Sequence, residues 1–215
     1  MALPYKMLLF DLDGTLVDTV GDITYYLNQV LAERGLEQVS VKQVKEAIGW
    51  GVHELLKILA PSFSEDPAGL ENAALSFKDR YREHPVLETR PFSGVSEALN
   101  GPLKNTLKAI VTNKPQDIAL RVLEELGMKH HFKEIIGTTG DFAPKPDPSS
   151  LLYLMKKFAV TPESTVYIGD SGIDAETSAA AGIDFAWVSY GYQSALEFNP
   201  RFLFSSAAEW TRLVS

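Results

Sequence analysis

Short apolar runs that alternate with amphipathic stretches predict an α/β fold for this chain. The first run, MLLF at residues 7–10, is continuous, as is typical of a strand that is buried on both faces of a parallel sheet. Further strands are predicted at residues 107–112, 133–137, 165–169 and 184–189, with helical patterns between them. This alternation indicates βαβ units, so we predict a doubly wound, mainly parallel sheet.

Residues 19–85 follow a different pattern and contain no strand-like run. Apolar residues between positions 23 and 31 have the spacing of one helix face. Ser40, with Gln43 three residues later, resembles the capping box that begins a helix. We therefore expect a helical cap domain at residues 19–85, inserted into an α/β core domain that comprises residues 1–18 and 86–215.

The composition narrows the classes of partner. The chain has 215 residues, a formal net charge of -8 and a pI near 5.0, which argues against nucleic acid and anionic membranes as partners. It contains no cysteine, which excludes disulfides, thiol catalysis and zinc–thiolate sites and is typical of a cytoplasmic protein. The first residues lack the apolar length that a signal peptide or a membrane span requires. We expect a cytoplasmic protein that acts on a small molecule, as a monomer or a homodimer.

Two acids directly follow the first predicted strand. Asp11 and Asp13 are two residues apart, so their side chains project to the same side of an extended backbone, and Gly14 allows the chain to turn away. Neighbouring carboxylates repel each other, and Mg²⁺ accepts one or two of them together with water and substrate phosphate. The pair also provides one carboxylate to attack phosphorus and another to transfer protons. The alternative is an ordinary strand that ends in an Asp-Gly turn.

Polar residues follow the other predicted strands as well. Thr112 and Asn113 lie at a strand-to-helix turn, where they either hold a phosphate or serve as turn residues. Lys145, between two prolines, is either a phosphate-binding cation or a solvated loop residue. Asp170 and Asp174 complete a metal site if their strand neighbours the first, and Asp170 can also cap a helix. Together these residues fit phosphoryl transfer through an aspartyl-phosphate, and the absence of GxxxxGK[ST] disfavours a P-loop nucleotide enzyme.

These motifs resemble those of the haloacid dehalogenase-like hydrolase superfamily. The resemblance rests on DLDGT at residues 11–15, Thr112 at a strand end, Lys145, and the GDxxxD pattern that contains Asp170 and Asp174. Over nearly the whole chain, further segments are similar in kind and order to phosphoglycolate phosphatases: DLDGTLVDT, IGWG, RPFSGV, VTNKP, KPDPSSLL, YIGDSGIDAETSAAAG and VSYGY. The resemblance implies a haloacid dehalogenase-like α/β core with an inserted helical cap.

The resemblance also implies a role for each motif residue. Asp11 would be the nucleophile and Asp13 the general acid and base. Thr112 and Asn113 would hold the phosphoryl group, and Lys145 would offset the negative charge of Asp11 and the phosphate. The expected Mg²⁺ ligands are Asp11, Asp13, Asp170 and Asp174.

The cap loop Gly49-Trp50-Gly51 would face the cleft, and we expect Trp50 and Gly51 to bind substrate. The alternative for this loop is a helix-to-helix turn in which Trp50 is buried. A substrate with a carboxylate needs a local donor on a protein of this net charge. The candidates are helix N-terminal amides near Gly51 and the side chains of Lys57 and Lys114.

We therefore expect a Mg²⁺-dependent phosphatase that hydrolyses a small phosphorylated metabolite, with 2-phosphoglycolate as the expected substrate. A β-phosphoglucomutase-like phosphosugar mutase or a pyrophosphatase of the same superfamily would use the same residues, and release of free phosphate separates a phosphatase from a mutase. From other classes, a receiver-like signalling domain would need neither Asp13 nor a helical insert. A non-catalytic binding protein would have no evident reason to keep both acids and Lys145.

Overall fold

The centre of the molecule is a six-stranded parallel sheet. The computed structural model describes residues 5–138, 140–194 and 198–214. In chain order the strands are β1 (Met7–Phe10), β2 (Val17–Asp18), β3 (Arg90–Pro91), β4 (Leu107–Val111), β5 (Glu134–Ile136), β6 (Thr165–Gly169), β7 (Asp184–Val188) and β8 (Phe202–Phe204). The order in the sheet is β5-β4-β1-β6-β7-β8, and all neighbouring strands are parallel. The predicted parallel α/β architecture is confirmed.

Helices cover both faces of this sheet. In chain order they are α1 (Val20–Ala32), α2 (Val41–Ala47), α3 (Val52–Leu59), α4 (Pro67–Glu83), α5 (Val95–Asn100), α6 (Gln116–Glu125), α7 (Ser149–Lys157) and α8 (Gly172–Ala181). Short 3₁₀ helices span Pro61–Ser64, Lys129–His131, Pro162–Ser164 and Ala207–Leu213. None of the helices in the described ranges is long and apolar enough to cross a membrane.

β1 lies between β4 and β6, and all four of its side chains are fully buried. Leu8 and Phe10 pack into one apolar core together with α5 and α6, whereas Met7 and Leu9 pack into a second core with α7 and α8. A continuous apolar run is needed here because the sheet is covered on both sides. Each face of the sheet therefore has its own apolar core, which is covered by helices that lie between the strands in the sequence.

The predicted helical region lies between β2 and β3, which pair with each other as an antiparallel ribbon. Val17 is opposite Pro91 and Asp18 is opposite Arg90. The segment that enters the helical region and the segment that leaves it therefore lie side by side. The predicted capping box of Ser40 is present at the start of α2. The apolar faces of α1 to α4 pack together; below, the cap denotes these four helices with their loops, and the core denotes the six-stranded sheet with the other helices. The division into separate domains at residues 19–85 and the remainder stays a prediction.

Candidate active site

The polar residues predicted at the strand ends lie at one edge of the sheet. Phe10, the last residue of β1, is level with Ile110 of β4 and Ile168 of β6, so the chain segments that follow these strands emerge together. Asp11, Thr112 and Asp170 therefore become neighbours, and all three are buried. The geometry confirms that β6 neighbours β1, which is the condition for a shared acid cluster.

Lys145 binds the acids of this cluster from a loop before α7. Its Nζ atom lies 2.9 Å from Asp11 Oδ1 and donates to Asp174 Oδ1 at 2.6 Å and to the Tyr167 hydroxyl at 3.0 Å. Burial lowers the pKa of Lys145, but Asp11 and Asp174 outweigh this effect and hold its pKa above the ordinary value. The lysine is therefore a fixed cation between two carboxylates.

Burial disfavours the charged form of Asp11 in this arrangement. Burial raises the pKa of its carboxyl group to about 7, against the opposing effect of Lys145. Although Asp11 Oδ1 forms an ion pair with Lys145, no donor among the described residues meets this oxygen with hydrogen-bonding geometry. A buried carboxylate oxygen without a hydrogen bond is available to an incoming electrophile or to a cation.

Asp174 is fully engaged by protein donors. Its Oδ1 atom accepts from Lys145 and Tyr167, and its Oδ2 atom accepts from the backbone N–H and the hydroxyl of Ser171. The Ser171 contacts form the capping box of α8, which fixes the carboxylate to the helix terminus. Asp174 thus holds Lys145 in place.

The carboxylate of Asp170 accepts fewer hydrogen bonds than that of Asp174. Its Oδ1 atom accepts one hydrogen bond from the Thr15 hydroxyl at 3.0 Å, and its Oδ2 atom accepts one from the Tyr192 backbone N–H at 2.7 Å. Burial, reinforced by Asp174 and Asp11, raises the pKa of Asp170 well above its ordinary value. Each oxygen has a remaining lone pair, as a metal ligand requires.

The acid cluster fits a hard divalent cation. Asp11, Asp170 and Asp174 each offer an oxygen, and these three atoms lie within 4.8 Å of one another. Three buried carboxylates with a single lysine leave excess negative charge, which a Mg²⁺ ion would offset. The Asp13 side chain does not belong to this group among the described residues, so its assignment as a ligand stays a prediction.

Asp13 has its own set of partners. Its Oδ1 atom accepts from the Thr19 hydroxyl at 2.8 Å and from Lys114 Nζ at 3.1 Å. Thr19 immediately precedes α1, and Lys114 follows β4, so the carboxylate is held from two directions. Its side chain is 13% exposed, which leaves it open to the cleft.

Asn113 ties the core to the cap loop. Its Nδ2 atom donates to the carbonyl groups of Gly49 and Lys145, and its Oδ1 atom accepts from the Lys145 backbone N–H. Thr112 accepts a hydrogen bond from the Lys114 backbone N–H. The side chain of Asn113 therefore positions the backbone of Lys145, and direct contact of Thr112 and Asn113 with a phosphoryl group stays a prediction.

A cleft lies over the strand ends, between them and the helical cap. The volume of the cleft that is open to the centres of water-sized molecules is about 50 Å³. The core side presents the acids and lysines, whereas the cap side is mainly apolar and consists of Gly49 and Gly51 together with Ile23, Ile48, Val52, Leu55, Phe77 and Tyr81. Such a narrow cleft leaves room for a small molecule.

The residues of the cap loop differ in their placement. Gly51 lines the cleft and approaches the Asn113 carbonyl closely, since a Cβ atom there would lie 3.6 Å from that oxygen. Trp50 is 47% exposed and is not among the lining residues, so the alternative of a buried Trp50 is wrong. Lys57 pairs with Glu54 at the surface, whereas Lys114 lines the cleft.

Tyr192 was not identified as a site residue from the sequence. Its hydroxyl accepts from the backbone N–H groups of Thr19 and Val20 at the start of α1 and donates to Asp18, while its own backbone binds Asp170. The tyrosine thus connects the acid cluster with the entrance to the cap. Its only signal in the sequence is its place in VSYGY after β7.

Comparisons with known proteins agree with this geometry. The model of the haloacid dehalogenase-like hydrolase family matches residues 8–188. The chain is 37% identical over 194 residues to phosphoglycolate phosphatase 1 of Pseudomonas aeruginosa, covering 87% of this chain and 70% of that protein. It is 34% identical over 190 residues to an N-acetylmuramic acid 6-phosphate phosphatase of Pseudomonas putida, covering 87% and 84%. A crystal structure of a predicted phosphoglycolate phosphatase from Haemophilus somnus superposes with a TM-score of 0.90 at 28% identity, covering 98% of both chains.

Proposed function

The chain belongs to the haloacid dehalogenase-like hydrolase family and is an enzyme, and we propose that it hydrolyses small phosphate monoesters, with 2-phosphoglycolate as its preferred substrate. The observation that carries this proposal is the Asp11 carboxylate, which is buried at a strand end beside Lys145 with one oxygen that accepts no hydrogen bond from the described residues. Such an oxygen is suited to attack phosphorus.

In the first step, an Asp11 oxygen forms a bond to phosphorus and the bond from phosphorus to the leaving oxygen breaks. Asp13 donates a proton to that oxygen, so the alcohol leaves neutral and an aspartyl-phosphate remains. In the second step, Asp13 removes a proton from water as the water oxygen attacks phosphorus. The bond between phosphorus and Asp11 then breaks, which releases phosphate and restores both acids to their starting states.

Lys145 and a bound cation neutralise charge in this proposal. Lys145 lies against Asp11 and is fixed by Asp174, so it needs no rearrangement as negative charge approaches. Asp11 and Asp170 would hold Mg²⁺, and Asp13 and Asp174 remain further candidate ligands. When bound, the ion would reduce the repulsion between the carboxylate and the phosphate.

The choice of 2-phosphoglycolate follows from the relatives and from the narrow cleft. Relatives named phosphoglycolate phosphatase include the Pseudomonas aeruginosa protein, and the cleft holds little free space. Lys114 and Lys145 are the cationic side chains that line it in the described part of the chain. Lys114 already pairs with Asp13 and Tyr81, so the amides at the start of α3 near Gly51 are the proposed partners for the carboxylate of the substrate.

Phosphate release with Mg²⁺ tests the proposal directly. Purified protein is assayed with 2-phosphoglycolate, N-acetylmuramic acid 6-phosphate, glucose 1-phosphate and pyrophosphate, with Asp11→Asn as the inactive control. We expect the highest kcat/KM for 2-phosphoglycolate and acid-stable protein-bound phosphate in the wild type only. A higher kcat/KM for another substrate would move the protein to another branch of the family, and turnover without phosphate release would indicate a mutase.

The binding role proposed for Trp50 has a separate test. Trp50 lies between two glycines that line the cleft, but its own side chain is half exposed. If the ring folds over bound substrate, Trp50→Ala will lower kcat/KM for 2-phosphoglycolate more than for an aryl phosphate. An equal effect on both substrates would remove Trp50 from the binding site.

A further inference from the structure

Lys114 is a buried lysine that contacts the core and the cap at the same time. Its side chain is 3% exposed, and its Nζ atom lies 3.1 and 3.3 Å from the two carboxylate oxygens of Asp13. The same atom donates to the Tyr81 hydroxyl at 2.9 Å and lies 4.2 Å from the centre of the Tyr81 ring. A lysine in this environment is held by both partners, because each offsets part of the cost of burying its charge.

Tyr81 belongs to α4, so its position follows that of the helical cap. It is 1% exposed, stacks on Tyr26 with ring centres 5.3 Å apart and meets Phe77 edge-on at 5.7 Å. These contacts fix the phenol within the cap. The contact between the Tyr81 hydroxyl and Lys114 therefore depends on how α4 lies relative to β4.

The two acids that follow β1 thus have separate lysines. Lys145 pairs with Asp11 and is anchored within the core by Asp174, whereas Lys114 pairs with Asp13 and is anchored by the cap. The difference in anchoring implies different tasks. One lysine is fixed permanently, and the other depends on contact between cap and core.

We propose that Lys114 and Tyr81 are positioning residues that orient Asp13 for proton transfer when the cap lies against the core. The proposal rests on the proposed phosphatase function and adds a condition to it. Loss of the Tyr81 hydroxyl would free the long side chain of Lys114, and Asp13 would lose the donor that fixes its orientation towards the leaving oxygen. Proton donation would then be confined to the closed enzyme.

The leaving group of the substrate provides the test. Departure of an alkoxide needs a proton, whereas 4-nitrophenolate leaves readily without one, so a misplaced general acid slows only the first. The ratio kcat/KM covers the steps up to release of the alcohol and therefore excludes hydrolysis of the aspartyl-phosphate. Ethyl phosphate is the alkyl substrate of choice, because it has no carboxylate that Lys114 could bind.

We expect Tyr81→Phe and Lys114→Gln to lower kcat/KM for ethyl phosphate by at least roughly tenfold, and by no more than the full ~10²–10⁴-fold that general acid catalysis contributes. With 4-nitrophenyl phosphate, the decrease should be less than about threefold, since no protonated leaving group is needed. The double variant should lose no more than Lys114→Gln alone, because both substitutions break one chain of contacts.

Tyr26→Phe is the matched control. Tyr26 is another buried cap tyrosine, and its hydroxyl donates to the His84 carbonyl at 2.7 Å without contacting Lys114. This variant should leave the ratio of the two kcat/KM values unchanged. Thermal unfolding of every variant identifies a loss that comes from misfolding, and Tyr81→Phe retains the ring packing if Lys114→Gln is unstable.

The possible outcomes separate the two proposals. Equal losses with both substrates, or the same ratio change in Tyr26→Phe, would overturn the positioning role while leaving the phosphatase intact. A loss confined to 2-phosphoglycolate would make Lys114 a carboxylate-binding residue and would also overturn it. A wild-type protein that cleaves none of these esters would overturn the phosphatase function, and the positioning role with it.

Discussion

At the scale of single residues, the nucleophile is the first position to test. Asp11→Asn keeps the shape of the side chain but replaces the carboxylate with an amide, which is a poor nucleophile, so we expect phosphate release to be abolished. The fold should persist, because Lys145 retains its hydrogen bond to Asp174. Phosphate release and far-UV circular dichroism measure the two effects, with the exposed Asp79→Asn as control. Turnover at the wild-type rate in Asp11→Asn would contradict covalent catalysis.

The burial of Asp11 also predicts a pH dependence of stability in the metal-free protein. Burial raises the pKa of this carboxyl group from 3.8 to about 7, so the folded state binds more protons than the unfolded state between these values. The free energy of unfolding contributed by Asp11 therefore falls as the pH rises through this window. Urea denaturation with a chelator should show the stability of the wild type falling relative to Asp11→Asn between pH 4 and about 7. A constant difference, or a change in the opposite sense, would refute this.

The hydrogen bonds of Asp170 and Asp174 predict different consequences of substitution. Asp170 has free lone pairs, as a metal ligand requires. Loss of a residue that only supports a metal ligand costs roughly 10–100-fold in metal affinity, so Asp170→Asn should weaken Mg²⁺ binding by at least that factor. Asp174 meets only donors, so Asp174→Asn places an amide against them and displaces Lys145. Titration of activity with Mg²⁺ separates these effects. We expect a raised Mg²⁺ requirement in the first variant and mainly a lowered kcat in the second; the same response in both would contradict the distinction.

At the scale of elements, the turn after β1 depends on Gly14. Its φ of +85° is in the left-handed region, and a Cβ atom there would lie 2.3 Å from Asp170 Oδ2. Gly14→Ala should therefore destabilise the protein and displace Asp170. Gly35→Ala is the control, because Gly35 has a φ of +65° and, beyond its chain neighbours, no described residue comes within 4 Å of the added Cβ. It should cost only the left-handed strain of about 1–2 kcal/mol.

Chemical denaturation and Mg²⁺ titration of both glycine variants measure this difference. Gly14→Ala should lower the free energy of unfolding by more than Gly35→Ala and should raise the Mg²⁺ requirement, whereas Gly35→Ala should leave that requirement unchanged. Equal destabilisation in the two variants, with normal Mg²⁺ activation of both, would show that Asp170 does not depend on the turn.

The central elements could be predicted from the sequence because their burial leaves a continuous apolar signal. β1 and β6 have the predicted bounds for this reason. β8 has only three residues at the edge of the sheet, one of them exposed, so its pattern is too short to identify. α3 begins directly after the glycine-rich cap loop, and its short length likewise conceals it. α8 begins at Gly172, where the capping box of Ser171 and Asp174 starts the helix directly after the acid motif.

The same distinction applies to the candidate site. Asp11, Thr112 and Asp170 could be found because each directly follows a strand, and parallel strands place such residues together. The local sequence pattern around Tyr81 indicates only an apolar helix face, and nothing in it shows that the hydroxyl meets Lys114. Contacts that join the cap to the core depend on how α4 packs over β4, which the sequence pattern of either element alone does not specify.

At the scale of the whole molecule, the cap and the core meet around the cleft. Arg82 of α4 pairs with Asp117 of α6, and Gln193 donates to the Ile48 carbonyl at 3.3 Å. The contact of Gln193 and the bond between Asn113 and Gly49 border the cleft. Substrate size should therefore be limited by the apolar cap residues rather than by the acids and lysines of the core.

Leu55→Ala tests this limit. Leu55 lines the cleft and is 5% exposed, so its truncation should enlarge the space for the leaving group. We expect kcat/KM for N-acetylmuramic acid 6-phosphate to rise relative to that for 2-phosphoglycolate by on the order of tenfold, as pocket contacts of this size allow. Leu75→Ala, at a position of α4 that is 47% exposed, should leave the ratio unchanged. A ratio that stays constant in Leu55→Ala, with folding confirmed by thermal unfolding, would place the size limit outside the cap.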